Sequence, residues 1–189
     1  MMVRSLAAHC YGMKDIRWSL LDVNVHSTMN ANAINNTLTT LFSELVDGAP
    51  RDPSYMLNTG DIGLLGSLGK LSAADASRTQ ASGASIAAHV DHLRYGLALM
   101  NAWQSGVDNP WLGADWTASW RITTVSDQAW QQLRAALRDE VQRWLAAMGV
   151  AREFNQTQLT YMMASIAHLA YHLGAIRQID RSTRGPVAT

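Results

Sequence analysis

Four segments of the chain have apolar side chains three and four residues apart, and this spacing restricts the fold more than any other feature. The first runs from about Asn30 to Val46, and the others follow Ser85, Ser126 and Asn155. Residues at that spacing line one face of an α-helix, which must be buried against other elements. No segment shows the alternation of a β-strand between hairpin turns. The sequence therefore predicts an all-α protein built as a four-helix bundle.

Local signals support the predicted helix boundaries. Ser85 and Ser126 are good N-caps, Asn155 with Gln158 three residues later is typical of a capping box, and Gly149 ends the third helix. Residues 51–83 are rich in Gly, Ser, Asp and Ala, which predicts a long connection with a short helix at about 64–71. Residues 15–23 are expected to form another short helix, and the tail after residue 180 is expected to fray.

Composition and length exclude several classes of function. The 189 residues predict a single domain, 1–189, with a core of about 28–180. The 15 basic and 15 acidic residues create no field that would attract nucleic acid. No apolar stretch approaches the roughly 18 residues of a membrane span, and the N-terminal residues lack the apolar core of a signal peptide. The one cysteine, Cys10, has no internal disulfide partner, so a cytoplasmic location is expected.

Two histidine pairs are the strongest functional signal. His89 and His92 lie three residues apart after Ser85, and His168 and His172 lie four apart in the last helix. Side chains at these separations share one helix face. Two imidazoles from one helix and a third from a facing helix provide three ligands of a tetrahedral metal site. A metal would also supply the partners that buried imidazoles need.

Other interpretations of the histidines remain open from the residues alone. A single helical histidine pair is more often structural or exposed than metal-binding, and only the occurrence of pairs on two long helices favours a metal. A helical wheel does not distinguish His89 from His92. His9 and His26 have no partner at a useful spacing and are predicted to be structural.

Motifs of several other enzyme classes are missing. Leu169 follows His168 where the zinc-protease signature requires glutamate. The zinc-deaminase signature, the phosphate-binding loop and the nucleophile elbow are also absent. A Ser–His–Asp triad is not excluded, and no catalytic acid or base is identified.

The two histidine segments resemble the signature helices of the DinB-like (DinB/YfiT) metalloprotein superfamily, which includes thiol-dependent transferases. The segments are SIAAHVDHLRYGL and SIAHLAYHLGAIRQI. In that family the metal histidine follows the helix cap by seven residues, as His92 follows Ser85. The last helix has H-x-x-x-H followed by a glycine, and here Gly174 lies two residues after His172. The resemblance covers about residues 28–180.

The resemblance implies both a site and a function. It implies an up-down-down-up four-helix bundle with a long crossover connection, in which His92, His168 and His172 bind a divalent metal ion, zinc or nickel. His89 is an additional candidate. The implied activity is metal-dependent transfer of a low-molecular-weight thiol to a small-molecule substrate, in detoxification or stress response, by a homodimer. The charge balance and the lack of a long apolar stretch predict no nucleic-acid or membrane partner.

Two alternative functions and one structural question stay open. The protein can be a non-catalytic metal-binding or interaction module, because many relatives have no demonstrated reaction. It can also be a metal-assisted hydrolase, which would need a carboxylate near the metal, although Asp91 is predicted to point away. The tryptophans of residues 103–120 either wall a pocket or pack in the core, and core packing is the favoured interpretation.

Overall fold

Every regular element in the described part of the chain is helical, which confirms the all-α class. The computed structural model describes residues 31–80, 83–150 and 152–187. Its helices are α1 (Ala31–Asp47), α2 (Gly63–Gly69), α3 (Ala73–Ala76), α4 (Ile86–Gln104), α5 (Asp127–Gly149) and α6 (Gln156–Ile179). Short 3₁₀ turns lie at Ser119–Arg121 and Arg181–Thr183. No helix among the described residues is long and apolar enough to cross a membrane.

Polar side chains begin three of the long helices where the sequence predicts. The Ser85 and Ser126 hydroxyls each accept the backbone N–H three residues ahead. Asn155 and Gln158 exchange hydrogen bonds as a capping box at the start of α6. Each cap satisfies a backbone N–H that the first helical turn leaves without a partner. The caps define the N-termini of α4 and α6, the two helices that contain the histidine pairs.

The apolar faces of α1, α4, α5 and α6 meet in one core. Helix α4 packs against α5 and α6, and α1 packs against α5 and α6 as well. Large side chains with almost no exposed surface fill the core: Phe42, Leu45, Ile86, Leu93, Trp130, Leu137, Trp144, Met148, Met162 and Leu169. Burial of each such side chain stabilises the fold by roughly 1.5–3 kcal/mol. This packing holds α4 beside α6.

Two buried carboxylates anchor the long connection between α1 and α4. Glu44 of α1 accepts hydrogen bonds from the backbone N–H groups of residues 55–57. Asp61 accepts a hydrogen bond from Arg177 of α6 at 2.7 Å. The short helix expected at 64–71 forms as α2, whereas the single turn of α3 was not predicted. The connection is therefore attached to the first and the last of the long helices, α1 and α6.

Residues 181–186 make defined contacts with the rest of the chain, so the prediction that the tail after residue 180 frays was wrong for them. The Asp180 carboxylate accepts the N–H of Ser182 and begins a 3₁₀ turn in which Thr183 is buried. The carbonyl of Pro186 accepts a hydrogen bond from the Asn58 side chain. Asn58 and Pro186 are far apart in the sequence, so the sequence of the tail alone gives no sign of this contact.

Candidate metal centre

The histidines of α4 and α6 meet where the two helices pack together. One ring nitrogen each from His92, His168 and His172 lies within 4.8 Å of the others. Within the described ranges, no other group of three or more His, Cys, Asp or Glu side chains has this geometry. The three histidines that the family resemblance selected are therefore close enough to hold a metal ion.

His172 is at the centre of the cluster. Its Nε2 lies 2.9 Å from Nε2 of His168, and its Nδ1 lies 2.8 Å from Nδ1 of His89. Because Nδ1 and Nε2 are on different edges of the imidazole ring, His89 and His168 contact different sides of His172. His89 thus belongs to the cluster, but it contacts Nδ1 of His172, whereas His168 contacts Nε2. The helical wheel could not make this distinction.

Burial favours the neutral form of all four imidazoles. It lowers the pKa of His89, and together with a neighbouring histidine it lowers the pKa of His92 and of His168. For His172, burial first and then the three other histidines lower the pKa to about 3. A neutral imidazole has a lone pair on one nitrogen and is the form that binds metals.

The cluster also contains a polar atom without a partner. Nδ1 of His92 is buried and makes no hydrogen bond. Such an atom costs roughly 1–3 kcal/mol in an otherwise satisfied interior, and a cation bound to this nitrogen would remove that cost. Imidazole nitrogens suit transition-metal ions, whereas magnesium and calcium prefer oxygen ligands. The donor set therefore fits a divalent transition-metal ion.

Asp91, which lies between the two histidines of α4, is engaged by other groups. Its carboxylate accepts a hydrogen bond from the Ser119 hydroxyl at 2.6 Å and forms an ion pair with Arg94 at 2.8 Å. The bond to Ser119 connects α4 to the 3₁₀ turn that follows it. No Asp or Glu among the described residues belongs to the histidine group.

Two tryptophans from the segment between α4 and α5 lie against the histidine cluster. The Trp120 ring stacks on His92 with a centroid separation of 4.5 Å, and the Trp116 ring lies 5.8 Å from the same imidazole. Both tryptophans are 39% exposed. The favoured interpretation that they pack in the core was therefore wrong for this pair. The segment between α4 and α5 forms no long helix with an apolar face that could pack in the core. The rings of Trp116 and Trp120 instead cover part of the site.

Sequence reasoning missed two residues beside the site, Gly96 and Tyr161. Gly96 lies four residues after His92 on α4, and a Cβ at this position would be 3.7 Å from Cε1 of His168. Tyr161 lies seven residues before His168 on α6, and these residues line the same cleft. Both separations place the residue on the same helix face as the histidine. The spacing could therefore have identified Gly96 and Tyr161 as neighbours of the site.

The remaining histidines and the comparisons with known proteins add no further residues to the site. His9, His26, Cys10 and the helix predicted at 15–23 lie outside the described residues. No protein-family model, curated protein or solved structure matches the chain. The function is therefore inferred from the geometry and chemistry of the histidine cluster.

Proposed function

We propose that this protein binds one divalent metal ion, zinc or nickel, through His92, His168 and His172, and transfers a low-molecular-weight thiol to an electrophilic small molecule. The observation that supports this proposal best is the approach of three imidazoles from two helices to within 4.8 Å of one another. Three protein ligands leave at least one coordination position for an exogenous group. The transfer forms a carbon–sulfur bond and releases the leaving group and the thiol proton to solvent.

We also propose the finer description of the fold, a DinB-like up-down-down-up four-helix bundle with a long crossover connection. Four long helices, α1, α4, α5 and α6, contribute to one core, and residues 48–85 join the first two of them. In bundles, metal sites are formed by side chains of facing helices. The position of the histidines on α4 and α6 agrees with this principle.

The chemistry depends on the surroundings that the chain provides. A bound divalent ion lowers the pKa of a coordinated thiol and stabilises the thiolate that attacks an electrophile. The three neutral histidines do not offset the positive charge of such an ion. Trp116 and Trp120 exclude water from part of the His92 ring. The tryptophans and imidazoles together provide a site suited to an anionic sulfur.

Metal-assisted hydrolysis has weaker support. That reaction would benefit from a free carboxylate acting as a general base near the metal. The carboxylate of Asp91 already accepts a hydrogen bond from Ser119 and pairs with Arg94. A non-catalytic metal-binding role is the remaining alternative, and an assay of thiol transfer distinguishes it from catalysis.

The activity can be tested with protein loaded with zinc or nickel, a panel of low-molecular-weight thiols and 1-chloro-2,4-dinitrobenzene as electrophile. We expect formation of the coloured thioether to require both the thiol and the metal. The His168→Ala variant should lose this activity, because His168 is a proposed ligand. A protein that holds one metal ion per chain but shows no thiol-dependent turnover with any electrophile tested would instead support the non-catalytic role.

Within this proposal, His89 positions His172 and does not bind the metal. If Nε2 of His172 binds the ion, the proton of this imidazole is on Nδ1. Nδ1 then donates a hydrogen bond to Nδ1 of His89, 2.8 Å away. Such a hydrogen bond fixes the tautomer and the orientation of a metal-binding histidine. His89 in turn lies edge-on to Trp120, with ring centroids 5.4 Å apart. This contact holds the acceptor ring in place.

Removing the acceptor should weaken metal binding without abolishing it. We expect His89→Ala to reduce zinc affinity about 10- to 100-fold. His89→Asn should retain most of the affinity, because Oδ1 of asparagine occupies the place of Nδ1 and accepts the same hydrogen bond. Competition with a chromophoric chelator measures both values. Equal affinities for His89→Ala and the unmodified protein, or equal losses in the two variants, would contradict the positioning role.

A further inference from the structure

A small cleft lies beside His168, between α4 and α6. Its volume is about 150 Å³. Apolar and aromatic side chains form most of its walls: Leu97 and Met100 of α4, Tyr161 and Leu169 of α6, and Trp111 and Trp116 from the intervening segment. His168 is part of the same lining. The cleft therefore borders the candidate metal centre directly.

The lining of the cleft does not suit a charged ligand. No Asp, Glu, Lys or Arg side chain contributes to it. The Ser165 hydroxyl, one of its few polar groups, already accepts from Nε1 of Trp144 and donates to the carbonyl of Met162. An ionised group that entered would lose water without gaining a charged partner. An uncharged apolar group would exchange contact with water for contact with the apolar walls, which favours binding.

The volume and the lining of the cleft fit a single ring. A cavity of about 150 Å³ with apolar walls is large enough to bind benzene. The Trp111 and Tyr161 rings lie 5.0 Å apart with an interplanar angle of 32°, which presents aromatic surface to the cleft. Aromatic rings pack favourably against one another at such separations. The ligand class is thus an uncharged group of about the size of one aromatic ring.

We propose that this cleft binds the organic part of the electrophilic substrate, an uncharged aromatic ring, beside His168. Its role in catalysis rests on the proposed thiol transfer, whereas binding of the ring requires only the cleft. The substrates selected would be small aromatic electrophiles whose reactive carbon is a ring atom or is attached to the ring. Polyanionic or highly hydrated substrates would be excluded.

Gly96 offers a way to fill the cleft from within. A Cβ at this position would lie 3.7 Å from Cε1 of His168 and 3.9 Å from Trp116, which is ordinary van der Waals contact. Alanine therefore fits without displacing backbone, and a leucine side chain would extend into the cleft. Because alanine and leucine favour helices more than glycine does, both changes suit α4. Gly174 of α6 is a matched control, because nothing lies within 4 Å of its added Cβ.

The test is a ¹⁹F NMR titration of fluorobenzene and of 4-fluorobenzoate into the full-length protein, first metal-free and then zinc-loaded. We expect the metal-free protein to bind fluorobenzene and to bind 4-fluorobenzoate at least tenfold more weakly. Gly96→Leu should lower the fluorobenzene affinity at least tenfold, Gly96→Ala should lower it less, and Gly174→Leu should leave it unchanged. Ala164→Leu, which fills the cleft from α6, provides a second blocking variant if Gly96→Leu does not fold.

Zinc content, measured in parallel, separates this proposal from the proposed function. A protein that binds zinc but not fluorobenzene, or whose fluorobenzene affinity is the same after Gly96→Leu and Ala164→Leu, would overturn the cleft as a ring-binding site. Binding of 4-fluorobenzoate by the metal-free protein as tightly as fluorobenzene would overturn it too. Fluorobenzene binding without any zinc binding would support the cleft and contradict the metal-dependent function.

Discussion

The His172→Ala variant is expected to lose about a thousandfold in zinc affinity, on the order of 4 kcal/mol. Binding free energies of about 10–16 kcal/mol are typical of structural zinc sites, which have four ligands. The loss of one ligand is therefore expected to remove a quarter or more of the binding free energy. His172 should be the most sensitive of the three histidines, because it contacts both His168 and His89. Chelator competition and elemental analysis after dialysis measure the effect.

A control on the same helix separates the loss of a ligand from damage to the fold. Met163 of α6 is 59% exposed and outside the histidine group. Met163→Ala should retain one zinc ion per chain with unchanged affinity, and circular dichroism should give the same helix content for both variants. If His172→Ala kept one tightly bound zinc ion per chain, the proposed ligand set would be incorrect.

The second large effect is expected on stability, from Arg177→Met. This change removes the cation that pairs with Asp61, whose side chain is 2% exposed. A buried carboxylate that loses its partner destabilises a fold by roughly 3–5 kcal/mol. The effect should be large because Asp61 joins the long connection to α6 and also accepts the N–H of Gly63 at the start of α2. Urea denaturation of the metal-free protein measures the change in the free energy of unfolding.

An exposed ion pair serves as the comparison. Arg121 and Asp115 are 2.8 Å apart, with side chains 67% and 53% exposed. Because surface pairs contribute about 0–1 kcal/mol, Arg121→Met should change stability little. Adding Asp61→Asn to Arg177→Met should recover part of the loss, because the unpaired charge is then absent. Equal effects of Arg177→Met and Arg121→Met would contradict the structural role of the buried pair.

The long helices and their N-termini were predictable because their causes are local. Ser85, Ser126 and Asn155 each cap the helix that directly follows them in the chain. Apolar spacing also identified the helix faces that form the core. The short helix α3 escaped prediction, because its four residues are too few to establish a periodic pattern.

The site was less predictable, because it depends on how α4 and α6 align with each other. The spacing placed His89 with His92, and His168 with His172, on one face of each helix, but only the family resemblance selected His92 over His89 as a ligand. The contact of His89 with the second nitrogen of His172 depends on side-chain positions that a helical wheel does not contain. The tryptophans that cover His92 come from a segment without periodicity, so nothing local determined where they pack. The single domain and the homodimer stay predictions.

X-ray absorption spectroscopy of the zinc-loaded protein, without added thiol, tests the proposed metal centre most directly. We predict three imidazole nitrogens at about 2.0–2.1 Å from the metal, with the outer-shell scattering of histidine rings, and the loss of one imidazole in His92→Ala. A first shell of oxygen or sulfur atoms without imidazole scattering would contradict the three-histidine site.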